Sequence, residues 1–457
     1  MKCKANVYLA QTNNQYGSNV FLPYSVGMLQ AYVQSIAELD EAYCFKPLIF
    51  LKEDPEDVAR RMEAPAVLGL SSYIWNWEWN KALATAVRKW WPDCWIIMGG
   101  PQVPQTVSPE SIGVDVFVHG EGELAFAHLL TRRLYESCGT IHVLGNHRAE
   151  DINIFPSPYL AGIFDKLIED ANRLTAGTHP NYMDLAAVDT CGSCGETHKV
   201  NYVLACRKCG GIICDECWYK KGRAYKHVCL NRFTWNATQE THRGCPYSCT
   251  FCDWGSAVFT KTRQFSTGRI EEEYEWMSRN RIELLYNADA NYGLFPRDEE
   301  LNEFLVDVNR VSGYPRQIRA AWAKNTNKRV FRMARALNAS GMNKGVTLAL
   351  QSLHGPTLEA IKRQNIKFDD FASLSEEYQQ ENIPAYIELI LGLPEETYDS
   401  FASGIEKILE AGQHGGLNIY LCALLPNSEM SEPSYIEKHG IKWVHSPLLQ
   451  QHSNLES

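Results

Sequence analysis

The sequence predicts an α/β protein built from two parallel-sheet regions with a small metal-binding insert between them. Three observations carry that expectation. Short apolar runs alternate with amphipathic ones from Met1 to about Asp165, the alternation resumes from Trp235 onward, and a cysteine-rich stretch separates the two. At 457 residues the chain exceeds one ordinary domain, and its 45% hydrophobic content suffices for more than one core.

In the first region the runs Ala5 to Ala10, Pro47 to Leu51, Ala66 to Ser72, Trp95 to Gly100 and Val114 to His119 read as strands. Val26 to Leu39, Pro55 to Met62, Trp79 to Trp91 and Glu121 to Tyr135 read as the helices between them. Strand and helix in alternation give a doubly wound, Rossmann-like parallel sheet. Such sheets bind ligands outside the carboxyl ends of their strands. Here that means the loops Thr12 to Asn19, Ser71 to Trp79, Gly99 to Pro104 and Gly120 to Glu123. Gly99, Gly100 and Gly120, with Glu121 beside them, let backbone approach a bulky ligand closely.

In the second region the runs Trp235 to Thr241, Leu284 to Ala288, Ile318 to Ala323, Val346 to Gln351, Tyr386 to Leu391 and Leu417 to Leu424 read as six parallel strands. Ile270 to Arg279, Glu299 to Val311, Lys328 to Asn338 and Thr357 to Arg363 read as helices among them. Six such units suit a partial (β/α)6 barrel, whose chemistry sits on loops at the carboxyl ends of its strands.

The loop after the first of these strands carries Cys245, Cys249 and Cys252, with Phe251 just before the third. Three thiolates on one short loop leave one iron of a four-iron cluster open to a chelating small molecule. Zinc sites mostly use paired cysteines two residues apart rather than a lone triplet. The spacing CxxxCxxC resembles the radical S-adenosylmethionine (SAM) superfamily, in which the open iron is chelated by the amino and carboxylate groups of SAM.

The resemblance implies further residues. Asp289 and Asn291, after the second strand, stand where the superfamily binds the SAM amino group. Gln351 and Ser352, after the fourth, stand where it contacts the ribose, and Gly392 and Pro394 shape the turn beneath adenine. Residues Ile96 to Gln102 and Asp115 to Glu123 look like the cobalamin-binding domain that precedes many such barrels. The Asp-x-His-x-x-Gly motif that places a histidine on cobalt is missing, which implies cobalamin without a lower histidine ligand; His119 is not assigned to cobalt. Trp75, Trp77 and Trp79 are of a kind to cover a corrin face or to pack a helix core.

Of the fifteen cysteines, ten fall between Cys191 and Cys252 in metal-type spacings, which reads as ligands rather than disulfides. Cys191, Cys194, Cys206, Cys209, Cys214, Cys217, His227 and Cys229 supply eight ligands in four close pairs, enough for two tetrahedral zinc sites. Cross-brace pairing puts Cys191, Cys194, Cys214 and Cys217 on one ion and Cys206, Cys209, His227 and Cys229 on the other. Sequential pairing is the alternative. The insert reads as a docking module or as a staple for a long loop.

Composition bounds the partners. A net charge of −10 argues against a broad phosphate-binding surface, and the modest basic excess in the insert is too small to claim nucleic-acid binding. No run of about 18 apolar residues occurs, and Met1 to Asn14 lacks a signal-peptide pattern, so the expectation is a cytoplasmic, soluble protein without membrane contact.

The expected organisation is therefore a cobalamin-binding Rossmann-like domain over 1–170, a zinc-binding insert over 186–232, a radical SAM partial barrel over 233–425 and a carboxyl-terminal tail over 426–457. The Cys252 to Ser256 run looks particularly like the cobalamin-dependent methyltransferases that act on unactivated carbon. What this implies is a carbon methyltransferase of a peptide or small molecule, using a 4Fe-4S cluster, SAM and cobalamin, with an electron donor such as flavodoxin or ferredoxin. Family members carry a further carboxyl-terminal region where this sequence stops, shortly after His452. That departure and the missing cobalt histidine point to the rival, radical SAM oxidation, epimerisation or rearrangement without methyl transfer. A non-catalytic zinc-finger protein is the other alternative.

Overall fold

The structure is a computed structural model that describes residues 4–14, 18–105, 107–135, 143–144, 147–174, 185–187, 203–206, 212–214, 233–254, 260–323, 328–412 and 416–444. The first strands are β1 (Ala5–Ala10), β2 (Asn19–Phe21), β3 (Tyr43–Phe45), β4 (Pro65–Ser71), β5 (Trp95–Gly99), β6 (Val116–Val118) and β7 (Val143–Leu144). All but β2 form one parallel sheet in the order β3-β1-β4-β5-β6-β7. The order reverses direction between β1 and β4, which places the crevice of this sheet beyond Ala10 and Ser71.

Alternation along the strands explains the two helical layers. Val7, Leu9, Val67, Ile97 and Val116 join one buried cluster with residues of helices Tyr24–Gln34 and Gly122–Tyr135. Tyr8, Ala10, Leu68, Leu70 and Met98 face the opposite way, into a cluster with Val58, Leu83 and Val87 of helices Pro55–Arg60 and Trp77–Trp90. Strands buried on both faces must be apolar throughout, as these are. The expected strand over Pro47 to Leu51 is not one. Only Ile49 makes an isolated bridge, to Ala10, and the outer strand is Tyr43–Phe45, directly after helix Ala37–Ala42. A run that opens on proline has no amide there to join a ladder.

Between the two regions lie β8 (Leu185–Ala187), β9 (Val203–Cys206) and β10 (Ile212–Cys214), an antiparallel three-stranded sheet. The expected zinc ligands Cys191, Cys194, Cys209, Cys217, His227 and Cys229 lie outside the described residues, and Cys206 and Cys214 enter only as strand-end backbone.

The second region holds β11 (Thr234–Gln239), the two-residue pair β12 (His242–Arg243) and β13 (Arg263–Gln264), then β14 (Leu284–Tyr292), β15 (Gln317–Trp322), β16 (Val346–Gln351), β17 (Ala385–Leu391) and β18 (Gly416–Leu421). The long strands run parallel in two sheets, β15-β14-β11-β2 and β16-β17-β18. The sheets meet where Ile318 donates to Met342 O at 2.9 Å and bridges Asn343. Helices Thr267–Arg279, Arg297–Ser312, Lys328–Ala339, Phe368–Gln380 and Tyr398–Glu410 alternate with the strands. They cover one face through Ile270, Leu301, Met333, Phe371 and Ile408.

Two features cross the expected boundaries. The strand β2, from the amino-terminal region, pairs in parallel with β11 as the outer strand of the second sheet. Within the expected carboxyl-terminal tail, Met430 packs on the cysteine loop: it is buried and donates its amide to Thr250 O at 2.8 Å. Among the described residues no helix is long and apolar enough to cross a membrane.

Candidate functional site

The cysteine triplet lies at the carboxyl end of β11. Cys245 and Cys249 are buried and Cys252 is half-buried. The loop is tied down on several sides. Thr260 N donates to Cys245 O at 2.9 Å, Cys252 N to Cys249 O at 3.2 Å, and Thr250 N to Ile361 O at 3.1 Å. Phe251 packs against Ile361, Leu393, Met430 and Tyr435. It therefore anchors the loop to the end of the second half-sheet. Trp254 donates its indole N–H to Ala288 O at 3.1 Å, tying the far side of the loop to β14.

Two polar side chains reach the thiols. Asn291, fully buried, donates its amide Nδ2 to Cys245 Sγ at 3.3 Å, and its Oδ1 has no hydrogen-bond partner. Arg363 brings Nη1 to 4.0 Å from Cys249 Sγ. Its guanidinium is fixed by Asn365 Oδ1 at 2.9 Å and by Ala349 O. Burial pulls this guanidinium below its ordinary range, and the charge it faces is that of Cys249. Arg363 was not singled out as a site residue; the sequence signal for it is its place twelve residues after Gln351, just beyond helix Gly355–Ala360.

The structure separates the two residues expected near a SAM amino group. Asp289 is completely buried with both oxygens engaged. Thr241 N and His242 N donate to Oδ1 at 2.7 and 3.1 Å, and Thr241 Oγ1 and Asn287 Nδ2 donate to Oδ2. His242 Nδ1 stands 3.3 Å from Oδ2. Burial pushes the Asp289 carboxyl up, but His242 and these hydrogen bonds outweigh it and hold the carboxyl below its usual range. The acceptor left unengaged at this strand end is Asn291 Oδ1. Gln351 ends β16 at φ +66°, a left-handed conformation a non-glycine residue rarely adopts outside functional or strained positions. Ser352 beside it donates to Glu396 and accepts from His354 N at 3.0 Å.

At the amino-terminal sheet the loops after β1, β4, β5 and β6 converge on one end. Gly100 has φ +110°, and a Cβ there would stand 2.4 Å from Ser72 O. Only glycine lets the strand ends at Gly99 and Ser72 lie this close, with Ser72 N donating to Gly99 O at 2.7 Å. Gly120 is likewise left-handed, at φ +84°. Trp75 stacks on Tyr73 with ring centroids 4.5 Å apart, and its indole donates to Asn13 Oδ1. Trp77 and Trp79 pack against the lower core instead. Burial lowers the His119 pKa and its ring stands edge-on to Phe117, favouring a neutral packed imidazole.

These loops are fastened to the cysteine loop. Glu121 pairs with Arg263, both almost buried, and Arg263 also donates to Ala149 O at 2.6 Å. Glu123 accepts from Arg243 at 2.7 Å, and Arg243 pairs with Glu240 as well. Asn427 donates to Pro101 O at 2.7 Å and Val103 O at 3.1 Å, closing the other side of the Gly100 loop. The Glu121 side chain thus holds the seam between the Gly120 loop and the strand pair that flanks the cysteine loop. The arrangement sets the glycine strand ends beside the loop that carries Cys245, Cys249 and Cys252; among the described residues no three or more His, Cys, Asp or Glu side chains are drawn together as ligands for one metal ion.

No family model matches the chain. The cobalamin-dependent radical SAM methyltransferase TokK of Streptomyces tokunonensis is 35% identical in an alignment of 441 positions that covers 93% of this chain and 56% of that protein. The 2-(S-pantetheinyl)-carbapenam-3-carboxylate methyltransferase of Streptantibioticus cattleyicolor is 34% identical over the same shares. The chain is a homologue of both and spans about half the length of these curated relatives. Its fold is similar to that of TsrM from Kitasatospora setae, a radical SAM methyltransferase solved with cobalamin and a 4Fe-4S cluster. That match has a TM-score of 0.61 at 15% identity, over 94% of this chain and 74% of TsrM. OxsB, a cobalamin-dependent SAM radical enzyme solved with aqua-cobalamin, matches at a TM-score of 0.53 and 14% identity, over 95% of this chain and 56% of OxsB.

Proposed function

We propose that this chain is a cobalamin-dependent radical SAM enzyme that methylates an unactivated carbon of a small-molecule or peptide substrate. The observation that supports it best is the juxtaposition of the glycine crevice and the cysteine loop, clamped by Glu121–Arg263 and Asn427, in a chain homologous along nearly its whole length to such methyltransferases.

Three sets of residues would seat the three groups. Cys245, Cys249 and Cys252 would hold a 4Fe-4S cluster through three irons, with Asn291 and Arg363 donating toward its sulfurs. The unpartnered Asn291 Oδ1 is an acceptor for a bound ammonium, and the buried Arg363 guanidinium a partner for a carboxylate. Gln351 and Ser352 would line the ribose, with Ser352 already oriented by Glu396. Gly99, Gly100 and Gly120 would line a corrinoid, with Trp75 and Tyr73 at its rim.

When bound, these groups supply the electron, the hydrogen abstraction and the methyl group. The protein's own part is to hold them in line. Asp289 fixes Thr241 and His242, and so the start of the cysteine loop. Phe251 and Met430 close the loop from the far side, and the seam salt bridges set the crevice against it. For the insert, the reading is two structural zinc ions in cross-brace pairing, and for the cluster an electron donor such as flavodoxin or ferredoxin.

The test is anaerobic reconstitution of the full chain, followed by a corrinoid absorption spectrum, iron analysis and mass spectrometry of the products formed from SAM. The expected result is about four irons, a bound corrinoid, and both 5′-deoxyadenosine and S-adenosylhomocysteine. Cys249→Ala should abolish the iron. A cluster that cleaves SAM in a chain that binds no corrinoid would replace methyl transfer with radical oxidation or rearrangement.

A further inference from the structure

Just beyond helix Gly355–Ala360 the backbone turns left-handed at Lys362, with φ +51°, and brings Arg363 and Asn365 back against the end of β16. These two side chains occupy three carbonyls of that strand end. Arg363 donates Nη2 to Ala349 O, and Asn365 donates Nδ2 to Leu350 O at 2.9 Å and to Ser352 O at 2.8 Å. Asn365 Oδ1 accepts in turn from Arg363 Nε at 2.9 Å. The partners fix which way the amide points, because a carbonyl only accepts and a guanidinium only donates.

The corner held in this way is a strained one. Gln351 has φ +66°, and Ser352 N donates to Leu350 O at 2.8 Å, which closes a three-residue turn about it. A γ-turn with a left-handed central residue is the rare form. The pairing of β16 with β17 also shifts register here, between Ala349 and Gln351. A left-handed residue other than glycine persists only where its surroundings hold it. Leu350, Gln351 and Ser352 are all buried, and Asn365 gives a hydrogen bond to the carbonyl on each side of Gln351. The same side chain reaches the thiols through Arg363. With Nε on Asn365 and Nη2 on Ala349, the nitrogen of this buried guanidinium that is left over, Nη1, is the one 4.0 Å from Cys249 Sγ.

We propose that Asn365 is a positioning residue of the candidate site: it locks the corner that carries Gln351 and Ser352 and aims Arg363 at Cys249, so that one amide sets both ends of the site. This deepens the radical SAM reading and rests on it for what the corner and the thiols hold. Asparagine suits the task because one short, planar side chain offers an acceptor on one side and two donor hydrogens on the other. Alanine there would free the guanidinium from one of its two anchors and strip both corner carbonyls of a partner.

The experiment uses the full chain, first free of cofactors and then reconstituted anaerobically with iron and sulfide. Hydrogen exchange read by mass spectrometry on the cofactor-free chain reports the corner. Asn365→Ala should speed exchange around Ser352, and Asn365→Asp, which keeps the acceptor and loses both donors, should do the same. In the reconstituted chain Asn365→Ala should retain the iron and weaken SAM binding on the order of tenfold by equilibrium dialysis, as expected for two lost hydrogen bonds. It should also move the cluster to a more negative potential, read by a redox titration followed with electron paramagnetic resonance. A merely structural corner would leave the potential where it is. Arg363→Met should lower the potential as well, and adding Asn365→Ala to it should lower it no further, because the amide acts through the guanidinium. Unchanged exchange, an unchanged potential or an additive shift in the double variant overturns the proposal. A wild-type chain that takes up no iron removes the radical SAM reading instead, and the exchange measurement still decides whether Asn365 holds the corner.

Discussion

Asn291 donates its side-chain amide to Cys245 Sγ at 3.3 Å while its carbonyl oxygen stays buried without a partner. One side chain thus touches a candidate cluster ligand with one end and presents a free acceptor with the other. That double duty depends on β14 running on to Tyr292, past the point where its pairing with β15 shifts register after Asn287.

Hydrogen bonds to cluster sulfurs stabilise the reduced, more negative state and raise the reduction potential. Asn291→Ala should therefore keep most of the iron yet shift the cluster to a more negative potential, by tens of millivolts as an order of magnitude. It should also weaken SAM binding, because the free acceptor goes with it. A redox titration followed by electron paramagnetic resonance reads the first effect. An unchanged potential in the variant would show that the amide does not face the cluster.

The Asp289–His242 pair should shape the pH dependence of stability. Burial pushes the His242 imidazole down, but Asp289 outweighs it and raises its pKa above 6.5. The Asp289 carboxyl is held below 3.8. The histidine's contribution is complete below pH 6.5 and is lost as pH rises through its raised value, whereas the aspartate's is present above 3.8 and lost as pH falls through its depressed one. Thermal denaturation of the wild type should show decline on both sides of that interval. In Asp289→Asn both limbs should flatten and overall stability should fall by roughly 3 kcal/mol, as for breaking one partner of a buried pair. A profile parallel to the wild type would remove the pair from the explanation.

At the crevice, Gly100→Ala should be costly out of proportion to one methyl group. The added carbon would stand 2.4 Å from Ser72 O on a backbone at φ +110°, a strain of roughly 1–3 kcal/mol before the clash is counted. Corrinoid binding should drop with little change in iron content, measured by absorbance after desalting. Equal loss of corrinoid and iron would mean that the substitution unfolds the chain rather than reshaping the crevice.

Much of this was legible in the sequence because it is local. The cysteine triplet, the strand Ala5–Ala10 and the strand Val346–Gln351 follow from spacing and period alone. What the sequence could not reveal lies in long-range partners. Asp289 reads as a polar strand end until Thr241 and His242, far back in the chain, occupy its oxygens. Glu121 reads as part of a ligand loop until Arg263 claims its carboxylate. Asn19–Phe21 has too few residues to show a period, and the sequence reading leaves it without an element of its own, although it adds an outer strand to the second sheet.

The placement of Asn19–Phe21 beside Thr234–Asn236 has a consequence for how the molecule comes into being. This short segment leaves the ribosome with the first sheet, yet its hydrogen-bonding partner is translated only after the whole cysteine-rich insert. Until then the edge of β2 is unsatisfied, and afterwards β11 closes a very long loop, a slow kind of step. One continuous apolar cluster joins Tyr24 and Tyr159 to Trp276 and Leu285. A gene split between the two sheets would therefore yield halves that each lack part of their own interior until they meet.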